Sequence, residues 1–465
     1  MGWPIKNGVG LFLQIQRAFY VLVLWNEGDT GQNPVQTAFL IGDIAIVDVA
    51  YRNQTEETMF TAGELLPDEE RLARQARCRR LLAERVPEAG GLMLFSRLNI
   101  YYLTGTYANG LFWLPMEGDP LLLVRKGLER CRLESPKTHT ALFRSYADIA
   151  VLCAQAAAPL SPVVAAEMSA LPWSLSTILQ ARLPGIRFMS GEQIMLRVRS
   201  VKSPWELAKM RICGERQHRC LYEVLPARLR PGMSERAISH LVWQLFFEHG
   251  HCGMLRMGNF GEEVFLGHAA AGENGNYPSH YNGPLGLKGE HPAVPFMGHG
   301  SSVWREHEVL MLDVGFGFEG YNTDKTQMYW SGTRASVPTV VREAYALCRE
   351  IQERAASSLR PGVLPSSIWA DACDYMRLTA FEEGFMGLGD NKVQFLGHGI
   401  GLVIDEQPVL ARRFDDPLQE GMTLAIEPKI GLPGIGMVGM ENTFEVTPGG
   451  GKCITGNCFD LQCLD

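Results

Sequence analysis

No run of the 465-residue sequence is apolar for long enough to cross a membrane. The longest apolar stretch near the start, residues 18–25, falls far short of the roughly 20 residues that a spanning helix needs. It has no basic segment ahead of it and no clear small-residue cleavage site, so a secretory leader is not expected. Lys/Arg-rich runs and basic segments interleaved with aromatics are also missing. With a net charge of only -8, that argues against a nucleic-acid partner. The cysteines, 11 in all, are odd in number and mostly scattered singly, which excludes a disulfide framework. They read as reduced thiols of a cytoplasmic protein. Cys453, Cys458 and Cys463 fit no common zinc spacing, so residues 451–465 read as a disordered tail.

What is present is the composition of a globular protein large enough for about two or three domains. Residues 1–58 differ in character from the rest and read as an extension. Pro67 and the acids Asp68, Glu69 and Glu70 then open a helix. Strands are expected at residues 92–95, 111–114 and 121–124, with helical and apolar segments on to Met195. Residues 59–198 thus form an α/β domain. At Ser203, Pro204 and Glu206 the spacing predicts a capped helix start, which opens the next domain, residues 199–450. Inside that domain Leu229-Arg-Pro-Gly232 recurs as Leu359-Arg-Pro-Gly362. Each copy follows a helix and leads into another. The preceding helix of the second copy should turn Val340, Ala344, Leu347 and Ile351 to one side. A duplicated fold is the expectation.

Each half also carries an apolar strand that ends in a carboxylate. Residues 309–312 lead into Asp313, and residues 422–426 lead into Glu427. A further carboxylate follows on the next strand, Asp324 in one half and Glu441 in the other. A carboxylate at the end of a buried run is costly unless cations or donors meet it. His398, between Gly397 and Gly399, sits where the backbone can approach a site closely. Four carboxylates and one imidazole suit Mn, Co, Fe or Zn ions. Two divalent ions, roughly 3.5–4 Å apart, would neutralise the set and activate a bridging water.

These residues resemble the creatinase/aminopeptidase P group of pita-bread metallopeptidases. The resemblance covers residues 60–447. It rests on the five ligand positions, on Asn99-Ile-Tyr-Tyr-Leu-Thr-Gly105 and on Val201-Lys-Ser-Pro-Trp-Glu206. It implies a creatinase-like N-terminal domain and a pita-bread domain with an internal pseudo-twofold repeat. Asp313 would then chelate one ion, Asp324 and Glu441 would bridge both, and His398 and Glu427 would complete the other. Glu427 would also take the proton of the attacking water. The implied activity is hydrolysis of an N-terminal peptide bond, often one preceding proline, by a homodimer.

The sequence departs from the pattern of these peptidases in three places. Asp405 stands where a second histidine is usual, and an ionised aspartate cannot donate to an oxyanion. It could instead hold a substrate cation. Gln327 stands where an arginine is frequent. The substrate histidine upstream of Asp313 corresponds to His299 by spacing and to His280 by its His-Tyr context, and His299 is taken as the substrate-binding residue. Residues 267–300 read as a long loop or lid. These departures keep a second reading open: a creatinase-like amidinohydrolase or sulfonium-compound lyase with a small cationic substrate.

Overall fold

The computed structural model describes residues 9–16, 19–26, 60–258 and 263–465. The chain divides into two units, Met1–Thr61 and Ala62–Asp465. In the first, strands Val9–Gln16 and Phe19–Asn26 pair antiparallel. The junction expected between residues 58 and 59 lies outside the described residues.

The second unit opens on the helix Asp68–Arg85, with the three expected acids in its first turn. They face the positive end of the helix dipole. The three expected strands form as Gly91–Leu94, Gly110–Pro115 and Leu121–Val124, and almost every residue in them is buried. Such continuous apolar runs suit strands covered on both faces. They sit within a six-stranded sheet that His139–Leu142, Val163–Ala166 and Arg187–Ser190 complete. Ser203 caps the helix Pro204–His218. Its Oγ accepts the Glu206 N–H at 3.3 Å, and the Glu206 carboxylate accepts the Ser203 N–H at 3.0 Å.

Two further sheets follow. One has the order Gly267–Ala271, Val309–Phe318, Tyr321–Ser331, Gln462–Leu464. The other runs Glu406–Ala411, Phe395–Gly399, Thr423–Ile426, Asn442–Thr447, Gly450–Cys453. The sheets touch where the Thr326 N–H donates to the Glu441 carbonyl at 3.2 Å. A hairpin, Lys429–Leu432 with Gly436–Gly439, links the last strands. In both Leu-Arg-Pro-Gly copies the glycine is left-handed, φ 93° at Gly232 and 90° at Gly362. A side chain would strain that conformation, which turns the chain into the helices Glu235–Glu248 and Pro365–Met376.

Three expectations need correction. The tail is ordered: Gln462–Leu464 adds a parallel strand to Tyr321–Ser331, and Ile454 and Thr455 are buried. Its pairing partner lies far away in sequence, so local composition carries no trace of it. Residues 267–300 begin not as a loop but as the strand Gly267–Ala271, paired with Val309–Phe318. The helix Thr339–Ser358 buries Val341, Ala344, Cys348 and Ile351, with Val340 exposed, so its inner face is turned by about one residue.

The motifs at Asn99 and Val201 serve to join the domains. Glu406, fully inside, accepts from Arg199 Nη2 at 2.7 Å and from Lys202 Nζ at 3.2 Å. Arg199 Nη1 donates to Asn99 Oδ1 at 2.8 Å. Nearby, buried Arg74 donates to the Tyr102 carbonyl at 2.9 Å and to the Tyr321 hydroxyl at 3.2 Å. Burial pushes the Glu406 carboxyl up, but Arg199 and Lys202 outweigh it and hold it below its ordinary value. A depressed carboxyl stabilises the fold above its unfolded pKa, and that contribution is lost as pH falls through the folded value. Glu406→Gln strands two buried cations and should cost about 3–5 kcal/mol in urea unfolding. The variant should also lose less stability than the parent on acidification below roughly pH 4.3. A cost under about 1 kcal/mol would contradict this role.

Candidate metal centre

Strand alternation sets the site. Asp313 lies on Val309–Phe318, opposite His268 on one side and Thr326 on the other. Asp324 is on the returning strand, opposite Gly315. His398 lies on Phe395–Gly399, opposite Ala425. Glu427 follows the strand Thr423–Ile426, and Glu441 precedes Asn442–Thr447. The five residues therefore come from two sheets, and they converge. Ligand atoms of Asp324, His398 and Glu441 lie within 4.8 Å of one another, as do those of Asp313, Glu427 and Glu441. Asp324, Glu427 and Glu441 are buried, and His398 and Asp313 are nearly so.

Local hydrogen bonds orient the ligands. His398 Nδ1 lies 3.0 Å from the Gly399 carbonyl. An N–H on Nδ1 would donate there and leave the Nε2 lone pair free for a ligand. Nε2 faces Glu427 Oε1 and Glu441 Oε1, each at 3.8 Å. Asp324 Oδ1 accepts the Lys325 N–H at 2.9 Å, and Glu441 Oε2 accepts from the Thr326 hydroxyl at 3.0 Å. Burial pushes the Asp324 carboxyl up, with help from the Asp313 charge, to about 7. Glu441 is also raised, chiefly by burial. At Asp313 burial pushes upward, but the Lys429 ammonium outweighs it and the net shift is downward.

Lys429 is the residue the ligand motif did not reveal. It is 0% exposed, and its Nζ lies 3.0 Å from Asp313 Oδ2, 2.8 Å from Glu427 Oε2 and 3.0 Å from Glu441 Oε2. The signal was available: two residues after Glu427 on an extended chain, a side chain points the same way as the carboxylate.

The donor chemistry can be tested against a divalent ion. One imidazole nitrogen and two carboxylates at Asp324, His398 and Glu441 fit such an ion. Asp313, Glu427 and Glu441 suit a cation equally well, but there the ammonium of Lys429 already meets all three.

A cavity of about 420 Å³ opens over the cluster. Its lining includes Leu255, His268, Tyr281, Phe395, Asp405 and Phe414 besides all five ligands. Asp405 thus borders the cavity, and its Oδ1 accepts the Gly258 N–H. His299 does not line it. Its N–H donates to Glu235 Oε2 at 3.0 Å, and its Nδ1 lies 2.8 Å from the Ser301 hydroxyl. Nor is His280 in the lining; its ring rests against Tyr281. Besides His398, the histidine that lines the cavity is His268, whose buried Nε2 has no hydrogen-bond partner among the described residues. Burial pushes its ring below its ordinary pKa. Nothing in local sequence marks His268; its ladder position opposite Asp313 does. Gln327 is turned away from the cluster and donates to the Asp460 carbonyl at 3.1 Å.

Known proteins align with this architecture. Residues 74–201 match the Creatinase/Prolidase N-terminal domain. An Xaa-Pro dipeptidase of Lactobacillus helveticus is 26% identical over 288 residues, covering 62% of this chain and 68% of its own. One from Pyrococcus furiosus is 32% identical over 148 residues, covering 32% of this chain and 40% of its own. Among solved structures, the X-Pro aminopeptidase of Thermotoga maritima superposes with a TM-score of 0.67 at 21% identity, covering 84% of this chain and 99% of that one. The N-terminal domain of the FACT complex subunit SPT16 from Eremothecium gossypii shares the fold at a TM-score of 0.61 and 12% identity, covering 85% of this chain and 98% of that one. Residues 208–448, the segment that holds every candidate ligand described above, match metallopeptidase family M24, and the chain belongs to that family.

Proposed function

We propose that this hydrolase cleaves the amino-terminal peptide bond of small peptides, with Xaa-Pro dipeptides as the substrate class. The observation that carries the reading is the convergence of four carboxylates and one imidazole on the wall of a dipeptide-sized cavity. A divalent ion held by Asp324, His398 and Glu441 would supply Lewis acidity and an acidified water. Manganese, cobalt, iron and zinc all suit these ligands.

The chain's own residues take three roles in this reading. Glu427, whose Oε2 is held by Lys429 at 2.8 Å, keeps Oε1 on the His398 side to accept a proton from the attacking water. His268 takes the place expected of His299 as the substrate-binding histidine and would donate to the developing oxyanion, because it lines the cavity and its buried Nε2 has no other partner among the described residues. Asp405 holds the free ammonium of the substrate. The same charge suits a small non-peptide cation, which keeps the amidinohydrolase or sulfonium-lyase reading as the second choice. The eleven free cysteines support a reducing, cytoplasmic setting. A homodimer rests on family resemblance alone.

Chelation should abolish cleavage of an Xaa-Pro dipeptide panel, and added Mn²⁺ should restore it. A metal-loaded sample that releases no proline, followed by amine detection, would refute the peptidase reading. His268→Ala should lower kcat about a hundredfold with metal content unchanged. An unaltered kcat would remove His268 from the mechanism. Asp405→Asn keeps an acceptor for Gly258 but loses the charge. KM should rise about tenfold with kcat nearly constant, and equal KM values would dismiss the ammonium contact.

A further inference from the structure

Three of the four clustered carboxylates already have a cation, and it belongs to the protein. The carboxylates that Lys429 Nζ meets at 2.8–3.0 Å, those of Asp313, Glu427 and Glu441, are the same three that make up one of the two candidate ion positions. We propose that the Lys429 ammonium permanently occupies that position, so that the centre takes one divalent ion, at Asp324, His398 and Glu441, instead of two. The proposal rests on reading the site as a metal centre.

The fold directs the lysine there. Lys429 pairs with Gly439 in the hairpin, and both Glu427 and Glu441 lie two residues away from that pair. Alternation turns all three side chains to one side. Gly439 leaves room for the stem: a Cβ there would come within 2.7 Å of Lys429 Cα and 3.0 Å of its Cγ. The side chain is wholly enclosed. If a metal ion displaced the ammonium, a buried charge would lose its three partners, an arrangement that folded proteins avoid. If the ammonium stayed, its charge would repel a metal ion placed among the same oxygens.

Charge balance is compatible with this occupancy. Four carboxylates with a neutral imidazole need about four positive charges. Two divalent ions would supply them without a lysine. With Lys429 present, one divalent ion brings the positive charge to three and leaves a single residual negative charge. Among the described residues, the ion pairs of Lys429 reach Asp313, Glu427 and Glu441 but not Asp324. The Asp324–His398–Glu441 position therefore stays open for the metal. The pair of ions expected from the ligand set becomes one ion and one ammonium.

Metal stoichiometry tests this on the full chain. Equilibrium dialysis against excess Mn²⁺, followed by elemental analysis, should give one ion per wild-type chain. Anomalous scattering from Mn²⁺-soaked crystals should place it beside His398 Nε2, with no peak between Asp313 and Glu427. Lys429→Gly should double the content to two ions and add that second peak. Two ions in the wild-type chain would overturn the proposal and leave the metallopeptidase reading standing. No ion in either protein would overturn both. The wild-type count and anomalous map need no variant, so they decide the matter even if Lys429→Gly fails to fold.

Discussion

Four carboxylates held close together out of water repel one another, and this region of the structure is organised around that repulsion. Asp313, Asp324, Glu427 and Glu441 are brought together by strands from two sheets. Uncompensated, such a cluster would favour opening or protonation. The upward displacement of Asp324, to about 7, is that repulsion together with burial expressed as proton affinity. The chain answers with Lys429 on one flank and an imidazole on the other, and it leaves an opening beside the imidazole that suits a metal. A cation is thus part of the architecture before any substrate arrives.

The surrounding elements keep this charge cluster in place. The strands that carry Asp313 and Asp324 are long and nearly wholly buried, so each carboxylate has little freedom to retreat into water. The bridge between Thr326 and Glu441 fixes the spacing of the sheets at the centre itself. Further out, Glu406 gathers Arg199 and Lys202 and, through Arg199, reaches Asn99 in the N-terminal domain. Asp405, next in sequence, borders the cavity. The domain junction and the cavity wall are therefore neighbours along one strand entry, and rigidity at the first supports geometry at the second.

Much of the architecture was legible in local signals. Capping at Ser203, the strand at residues 121–124 and the acid-led helix at Asp68 are set by short-range chemistry and appear where expected. The five candidate positions were legible in the order of four acids and one histidine, with Asp313 and Glu427 closing apolar runs where a carboxylate is costly unless something meets it. Histidines were harder to sort. His299 has suitable spacing from Asp313, yet its N–H is tied to Glu235 and its ring to Ser301. His268 lies in a segment that composition assigns to a loop, but a strand ladder sets it opposite Asp313.

By itself, then, the sequence determined which side chains carry charge, where helices start, and which acids must find a cation, because those follow from residue type and short spacing. Tertiary structure decided which cation they find. Its place two residues after Glu427 lets Lys429 face the same way on an extended chain, but only the hairpin with Gly439 carries it inward among three carboxylates. His268 and the C-terminal strand Gln462–Leu464 likewise acquire their roles only from partners distant in the chain. The physical reason is common to all three: a side chain's contacts across a sheet depend on register between strands, and register is a property of the assembled fold.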